Sequence, residues 1–149
     1  MTGTGVRPVV GCDVVDVARM RRLLAERPAA RERIFTELEL RDATRGDVDR
    51  DSDLAVERLA ARFAAKEATR KALGARGPGL TQVEVRTGQD GAPSLWIGGR
   101  PSRLACSLSH DAGVALAVVV GDTTMLDESV LDESVLDEDM PDEDMPDGG

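Results

Sequence analysis

The chain has 149 residues, a net charge of −9 and 41% apolar residues, but only two Phe, one Trp and no Tyr. This length suits one small domain with an aliphatic core. The longest apolar run, 114–120, is far shorter than a membrane-spanning helix, and the scarcity of aromatic residues argues against a nucleic-acid binder.

The N-terminal part of the chain predicts a strand followed by helices. Apolar residues dominate 9–14 and indicate a strand. Asp16 is placed to cap a helix that Pro28 ends. Thr36 and Glu39 have the spacing of a capping box, which opens a second, short helix.

The centre of the chain predicts one long helix, and the remainder predicts strands. The helix runs from about Leu54 to Leu73, with Gly74 as its C-terminal cap. The segments that read as strands are LTQVEVR, SLWI, RLACSLSH and VALAVVV. The order of strand, helices and antiparallel strands predicts an α+β fold, with an antiparallel sheet packed against the long helix.

The last 28 residues differ from the rest in charge and in complexity. Residues 1–121 carry 19 basic and 16 acidic residues, whereas 122–149 carry 12 acidic residues and no basic one. The tail repeats in units of about five, beginning LDESV LDESV. We therefore expect a folded domain over 1–121 and a disordered, acidic, low-complexity tail over 122–149.

The cysteines and the N-terminus indicate a cytoplasmic protein. Cys12 and Cys106 both lie in predicted strands, where the favoured interpretation is two reduced, buried thiols. A disulfide or a metal pair is the minor alternative. The first eleven residues lack the basic and apolar regions of a signal peptide.

The long helix carries the only two lysines of the chain, Lys66 and Lys71, on either side of Glu67. On a helical wheel Glu67 continues the apolar line of Val56, Ala60 and Phe63, where a carboxylate is costly unless it is paired or binds a cation. The alternative is an ordinary i,i+4 salt bridge between Glu67 and Lys71 on a solvated face.

Two further polar residues stand at the ends of predicted strands. Asp13 interrupts the apolar run VVGCDVVDV and is either a cap or turn residue or a ligand of a hard cation such as Mg²⁺. His110, the single histidine, follows Ser107 and Ser109 in SLSHD and is either a surface residue or a catalytic one.

Taken in order, the segments GCDVVDVARMRRL, FTELEL, RFAAKEATRKALG and SLSHD resemble the holo-acyl-carrier-protein synthases, the small 4'-phosphopantetheinyl transferases. The resemblance spans about residues 8–121. It implies a Mg²⁺-dependent reaction in which a serine hydroxyl of an apo carrier protein attacks the β-phosphate of coenzyme A. Phosphopantetheine is transferred and 3',5'-ADP leaves.

The resemblance also assigns residues. Asp13 and Glu67 match the metal-binding carboxylates, and Lys71 completes the catalytic set beside the transferring phosphate. The positions implied for coenzyme A are Arg62, Lys66, Lys71, Ser109 and His110. Glu67 is the implied acceptor of the serine proton, directly or through metal-bound water.

The resemblance implies two macromolecular contacts. Arg19 and Arg22, on the first helix, look like the surface that docks an acidic carrier. The small members of the family are homotrimers with active sites at subunit boundaries. The competing hypotheses are a solvated arginine face and, for the whole chain, a carrier-binding regulatory protein with little activity. Whether the carrier serves fatty-acid, polyketide or peptide synthesis stays open.

Overall fold

The first and last strands of the fold lie side by side in one antiparallel sheet. The computed structural model describes residues 5–74 and 77–126. Its central strand β6 (Val114–Asp122) pairs with β1 (Pro8–Asp16) on one edge and with β5 (Ala105–Asp111) on the other. The pairing of β1 with β6 joins residues that are 98 to 114 positions apart in the sequence.

Four helices follow β1. They are α1 (Val17–Glu26), α2 (Ala30–Ile34), α3 (Glu37–Ala43) and α4 (Asp53–Leu73). The long helix α4 crosses one face of the sheet and contacts β1 and β6 most extensively. The α+β class, with an antiparallel sheet packed against a long helix, is confirmed.

The helix ends lie close to where the sequence predicted them, because capping depends on near neighbours. The Asp16 carboxylate accepts the Arg19 backbone N–H at 3.2 Å. Thr36 and Glu39 form the reciprocal bonds of a capping box. Gly74 ends α4 with a φ of 89°, a value that strains other residues. Helix α2 was not predicted, since its five residues begin without a side-chain cap.

A second three-stranded sheet covers another part of α4. It consists of β2 (Val83–Thr87), β3 (Pro93–Ile97) and β4 (Arg100–Pro101), after a 3₁₀ turn at Leu80–Gln82. The sequence suggested a strand beginning at Leu80 and did not separate the two sheets. Strand β4 has only two residues, one of which is a proline without a backbone N–H, so this ladder is short.

Gly11 lets α4 lie unusually close to β1. A Cβ atom added to Gly11 would lie 1.8 Å from the backbone oxygen of Ala68 on α4. The buried side of α4 likewise presents short side chains, including those of Ala64, Ala65 and Ala68. The close approach brings the C-terminal turns of α4 to the strand that carries Asp13.

No helix among the residues that the structure describes is long and apolar enough to cross a membrane. Strand β6 ends at Asp122 and a short 3₁₀ turn continues to Met125. The predicted disordered tail therefore lies, beyond its first five residues, outside the described residues, and the division at residue 121 stays a prediction.

Candidate active site

Asp13 and Lys71 meet where β1 passes the end of α4. The Lys71 ammonium donates hydrogen bonds to Asp13 Oδ1 at 2.9 Å and to the Cys12 carbonyl oxygen at 3.0 Å. The bond to Asp13 is the main reason that the pKa of Lys71 is raised, and the nearby charge of Glu67 raises it further. Lys71 is thus held as a cation beside two carboxylates.

Glu67 lies one turn before Lys71 on the same helix but has a different partner. Its Oε1 is 3.3 Å from Nη1 of Arg70, an i,i+3 pair. The alternative of an i,i+4 salt bridge between Glu67 and Lys71 is wrong, because Lys71 reaches across to Asp13 instead. The sequence did not single out Arg70; its spacing from Glu67 was the available signal.

The side of α4 that contains Glu67 becomes more exposed toward the C-terminal end of the helix. Val56 and Ala60 are buried, whereas the side chains of Glu67 and Lys71 are 24% and 55% exposed. Glu67 therefore stands at the border of the apolar stripe and not within it, which lowers the cost of its charge.

An open cavity of about 390 Å³ lies at the C-terminal end of α4. Its lining combines Glu67, Arg70 and Lys71 with Gly74 and Gly77. One carboxylate and two cations therefore face the space, and the two glycines contribute no side chains to its wall. Asp13 adjoins this cavity through its bond to Lys71.

The other lysine of the motif is in a different environment. Lys66 is fully buried, and its ammonium lies 2.7 Å from Glu39 Oε2, which is also fully buried. The ammonium also donates to the carbonyl oxygens of Leu80, at 2.8 Å, and Val83. Burial lowers the pKa of Lys66, and Glu39 opposes that effect. Lys66, expected at coenzyme A, is instead saturated by protein atoms in the core.

Arg62 is also buried and largely occupied within the chain. It donates to the carbonyl oxygen of Arg58 at 3.1 Å and to Thr87 Oγ1 at 3.3 Å, and it lies 3.7 Å from Asp42. Its Nε has no hydrogen-bond partner among the residues that the structure describes. Burial lowers the pKa of Arg62, with Asp42 acting in the opposite direction.

Ser109 and His110 lie on β5, away from the Asp13–Lys71 pair. His110 is half-exposed and its Nδ1 is 3.7 Å from a carboxylate oxygen of Glu57, near the start of α4. Ser109 is exposed opposite Leu116. The structure therefore brings Asp13, Glu67 and Lys71 together but holds His110 toward the other end of α4.

Arg19 and Arg22 are exposed on α1, three residues apart. They share a helical face, while Arg21 turns away to pair with Asp53 at 2.6 Å. The cysteines differ from expectation in burial: Cys12 is exposed and Cys106 is partly buried. Both thiols are free, so the alternative of a disulfide is wrong.

The donor set of the site suits a cation only in part. No group of three or more His, Cys, Asp or Glu side chains that could hold a metal ion occurs within residues 5–74 and 77–126. Glu67 at the cavity and Asp13 beside it are the two carboxylates that could hold a cation. A hard cation there would draw its remaining ligands from water or from phosphate oxygens.

Comparison with known proteins gives consistent similarities. The sequence model of the 4'-phosphopantetheinyl transferase superfamily matches residues 9–119. A holo-[acyl-carrier-protein] synthase of Frankia casuarinae is 46% identical over 125 residues, covering 76% of this chain and 96% of that protein. The corresponding protein of Salinispora arenicola is 44% identical over 123 residues, with coverage of 76% and 96%.

Solved structures are similar across the same region. The holo-[acyl-carrier-protein] synthase of Neisseria meningitidis has a TM-score of 0.63 and 30% identity, covering 75% of this chain and 95% of that one. The Helicobacter pylori enzyme, solved in complex with coenzyme A, has a TM-score of 0.58 and 27% identity, with coverage of 74% and 96%.

Proposed function

We propose, from the premise that this chain belongs to the 4'-phosphopantetheinyl transferase superfamily, that it transfers the 4'-phosphopantetheine group of coenzyme A to a serine of an apo acyl carrier protein. The chain is an enzyme of the holo-[acyl-carrier-protein] synthase type. In the proposed reaction the serine oxygen forms a bond to the β-phosphorus. The bond from that phosphorus to the bridging oxygen breaks, and 3',5'-ADP leaves.

The observation that carries this proposal is the convergence of Asp13, Glu67 and Lys71 at one end of α4. Transfer of a phosphoryl-type group depends on positioning and on neutralisation of charge. Lys71 supplies a positive charge at the cavity for the phosphates of coenzyme A. Glu67, with its side chain 24% exposed, supplies a carboxylate that accepts the serine proton.

Asp13 and Glu67 fit Mg²⁺ as the metal of the reaction. Both supply carboxylate oxygens at the C-terminal end of α4, beside the cavity. Mg²⁺ prefers oxygen ligands and commonly keeps waters and substrate phosphates in its coordination shell. When bound, the metal would neutralise charge on the pyrophosphate. Asp13 and Glu67 would hold it.

The separation of His110 from Lys71 along α4 supports a site shared between subunits. Glu57, the neighbour of His110, precedes Glu67 by ten residues on α4, which is about 15 Å of helix. The 3'-phosphate and the pyrophosphate of coenzyme A are attached to one ribose. His110, Ser109 and Arg62 would therefore serve a nucleotide whose phosphates lie on Lys71 of a neighbouring copy.

The open face of the β1–β6–β5 sheet supports a homotrimer. Val10, Val14, Leu116 and Val120 are exposed there, next to exposed Cys12. Valines on the paired strands β1 and β6 lie opposite each other on this face, as Val10 and Val120 do. A continuous apolar sheet face is a characteristic subunit interface, and its burial would add apolar area to a small core.

Arg19 and Arg22 complete the proposal as the docking surface for an acidic carrier. Both are exposed on α1, which begins directly after the strand that carries Asp13. A cytoplasmic location stays a prediction.

The direct test of the proposed chemistry follows release of 3',5'-ADP in the presence of an apo carrier and coenzyme A. Release is expected to stop on chelation of the metal and to return with added Mg²⁺. Asp13→Asn and Glu67→Gln should each lower kcat about 100-fold or more, with unfolding curves unchanged. Arg33→Met, an exposed change on α2, is the control. Full activity of both carboxylate variants would contradict the assignment.

A further inference from the structure

Each of the two carboxylates at the site is matched by its own cationic side chain. Lys71 lies 2.9 Å from Asp13, and Arg70 lies 3.3 Å from Glu67. The two negative and two positive charges sum to zero. We propose that Lys71 and Arg70 are internal counter-ions that suppress metal binding until coenzyme A arrives, so that metal and coenzyme A bind cooperatively. This inference rests on the proposed function.

The charge balance gives the cooperativity its direction. A divalent cation that enters a neutral cluster leaves two positive charges uncompensated, and like charges at close range are unfavourable. The phosphates of coenzyme A bring the missing negative charge. Two carboxylates without cationic partners would instead attract the metal before any substrate is present.

The positions of the two cations allow them to exchange partners. The side chains of Arg70 and Lys71 are 40% and 55% exposed, so neither is fixed by surrounding core. Both line the cavity together with Glu67. A phosphate that enters this space would meet both cations, and each could transfer from its carboxylate to a phosphate oxygen. That transfer would free the carboxylate oxygens for the metal.

Thermodynamic linkage requires the metal and coenzyme A to affect each other's affinity equally. If coenzyme A increases the affinity for the metal by some factor, the metal must increase the affinity for coenzyme A by the same factor. We expect a factor of about 10 or more in the unmodified protein, within the usual range for coupled sites. Removing either cation should raise the affinity for the metal alone and reduce this factor.

The experiment measures binding of Mn²⁺ to the full chain by electron paramagnetic resonance, without a carrier and therefore without turnover. Titrations are run with and without coenzyme A, on the unmodified protein and on Lys71→Met and Arg70→Met. The double variant Asp13→Asn/Glu67→Gln lacks both metal-binding carboxylates, so its titration gives the Mn²⁺ that coenzyme A holds in solution. This amount is subtracted from the other titrations. Arg33→Met removes the same charge from an exposed site on α2 and should behave as the unmodified protein.

The expected result is weak Mn²⁺ binding without coenzyme A, tightened about 10-fold with it, and tightened severalfold in Lys71→Met without any coenzyme A. Equal Mn²⁺ affinity with and without coenzyme A, in a protein that still modifies its carrier, would overturn the counter-ion proposal alone. Absence of both coenzyme A binding and transfer would instead overturn the proposed function on which it rests.

Discussion

The absence of a side chain at Gly11 sets the distance between β1 and α4, and therefore the geometry of the site. Any Cβ at this position would collide with the Ala68 oxygen at 1.8 Å, so α4 would have to move away from β1. Gly11→Ala is expected to destabilise the fold by about 3 kcal/mol, the upper end of usual overpacking costs. Chemical denaturation measures this change.

The same variant should also lose activity, because displacement of α4 separates Lys71 from Asp13. Gly79→Ala is the control, since its φ is −65° and the nearest atom to a new Cβ lies 3.9 Å away. If Gly11→Ala unfolds at the same denaturant concentration as Gly79→Ala, the close approach of helix and strand is not a constraint.

The buried pair of Lys66 and Glu39 gives a second prediction at this scale. Lys66→Met leaves the Glu39 charge buried without its partner, which should cost about 3–5 kcal/mol. Arg21→Met breaks an exposed pair with Asp53 at a similar distance and should cost less than about 1 kcal/mol. Lys66→Met/Glu39→Gln should lose less than the sum of the single changes. Additive losses would show that the two groups do not interact.

The thiol of Cys106 provides a test of pH dependence. Burial raises the pKa of Cys106 to about 11. Since the thiolate is the reactive form, alkylation of native Cys106 should be slow at pH 8 and should keep accelerating beyond pH 10. Mass spectrometry of the labelled peptide measures the rate, and the chain unfolded in guanidinium is the control. Rates that level off at pH 9 in the native protein would contradict the raised pKa.

The motif RFAAKEATRKALG shows what single residues reveal in sequence and what they do not. The sequence singled out both lysines and Glu67 as unusual for this chain. It could not separate a buried Lys66 from an exposed Lys71, because that difference depends on Glu39 and on the carbonyl groups at residues 80 and 83. Glu39 was predicted only as a capping residue, although its Oε1 also accepts the Val85 N–H at 2.8 Å.

At the scale of elements, helix α1 carries the prediction for the carrier. Charge-steered association weakens with salt and with loss of charge complementarity. Arg19→Glu should raise KM for the carrier about 10-fold while leaving KM for coenzyme A within about twofold, and the difference should shrink as salt increases. Steady-state kinetics with each substrate varied in turn measures both constants.

Arg33→Glu, on the exposed surface of α2, is the matched reversal and should change neither constant. Equal increases in both KM values for Arg19→Glu would indicate a defect of folding or of the nucleotide site. In that case α1 would not be the docking element.

The elements themselves were predictable where local chemistry determines them. Asp16, the Thr36–Glu39 box and Gly74 marked helix ends because their partners lie within four residues. Helix α2 was not predictable because its five residues begin without a side-chain cap. The separation of the second sheet was not predictable because it depends on contacts between distant segments. The same limit applies to Lys71, whose bond to Asp13 spans 58 positions of sequence.

At the scale of the whole molecule, the open face of the β1–β6–β5 sheet predicts self-association. Leu116→Lys places a charge at the middle of this face, opposite Val14 and Ser109, and should convert a trimer into monomers. Leu54→Lys, at an exposed leucine on α4, is the control and should remain assembled. Light scattering measures the mass. An unmodified protein that is monomeric and fully active would contradict the shared site.

The central claim, transfer of phosphopantetheine to a carrier serine, is tested most directly by the intact mass of the carrier. Apo carriers of fatty-acid, polyketide and peptide synthesis are incubated separately with the protein, coenzyme A and Mg²⁺. We expect at least one to gain the mass of a single phosphopantetheine group on serine, and its Ser→Ala form to gain none. A panel of folded carriers whose masses all remain unchanged, with an enzyme that binds coenzyme A, would contradict the account.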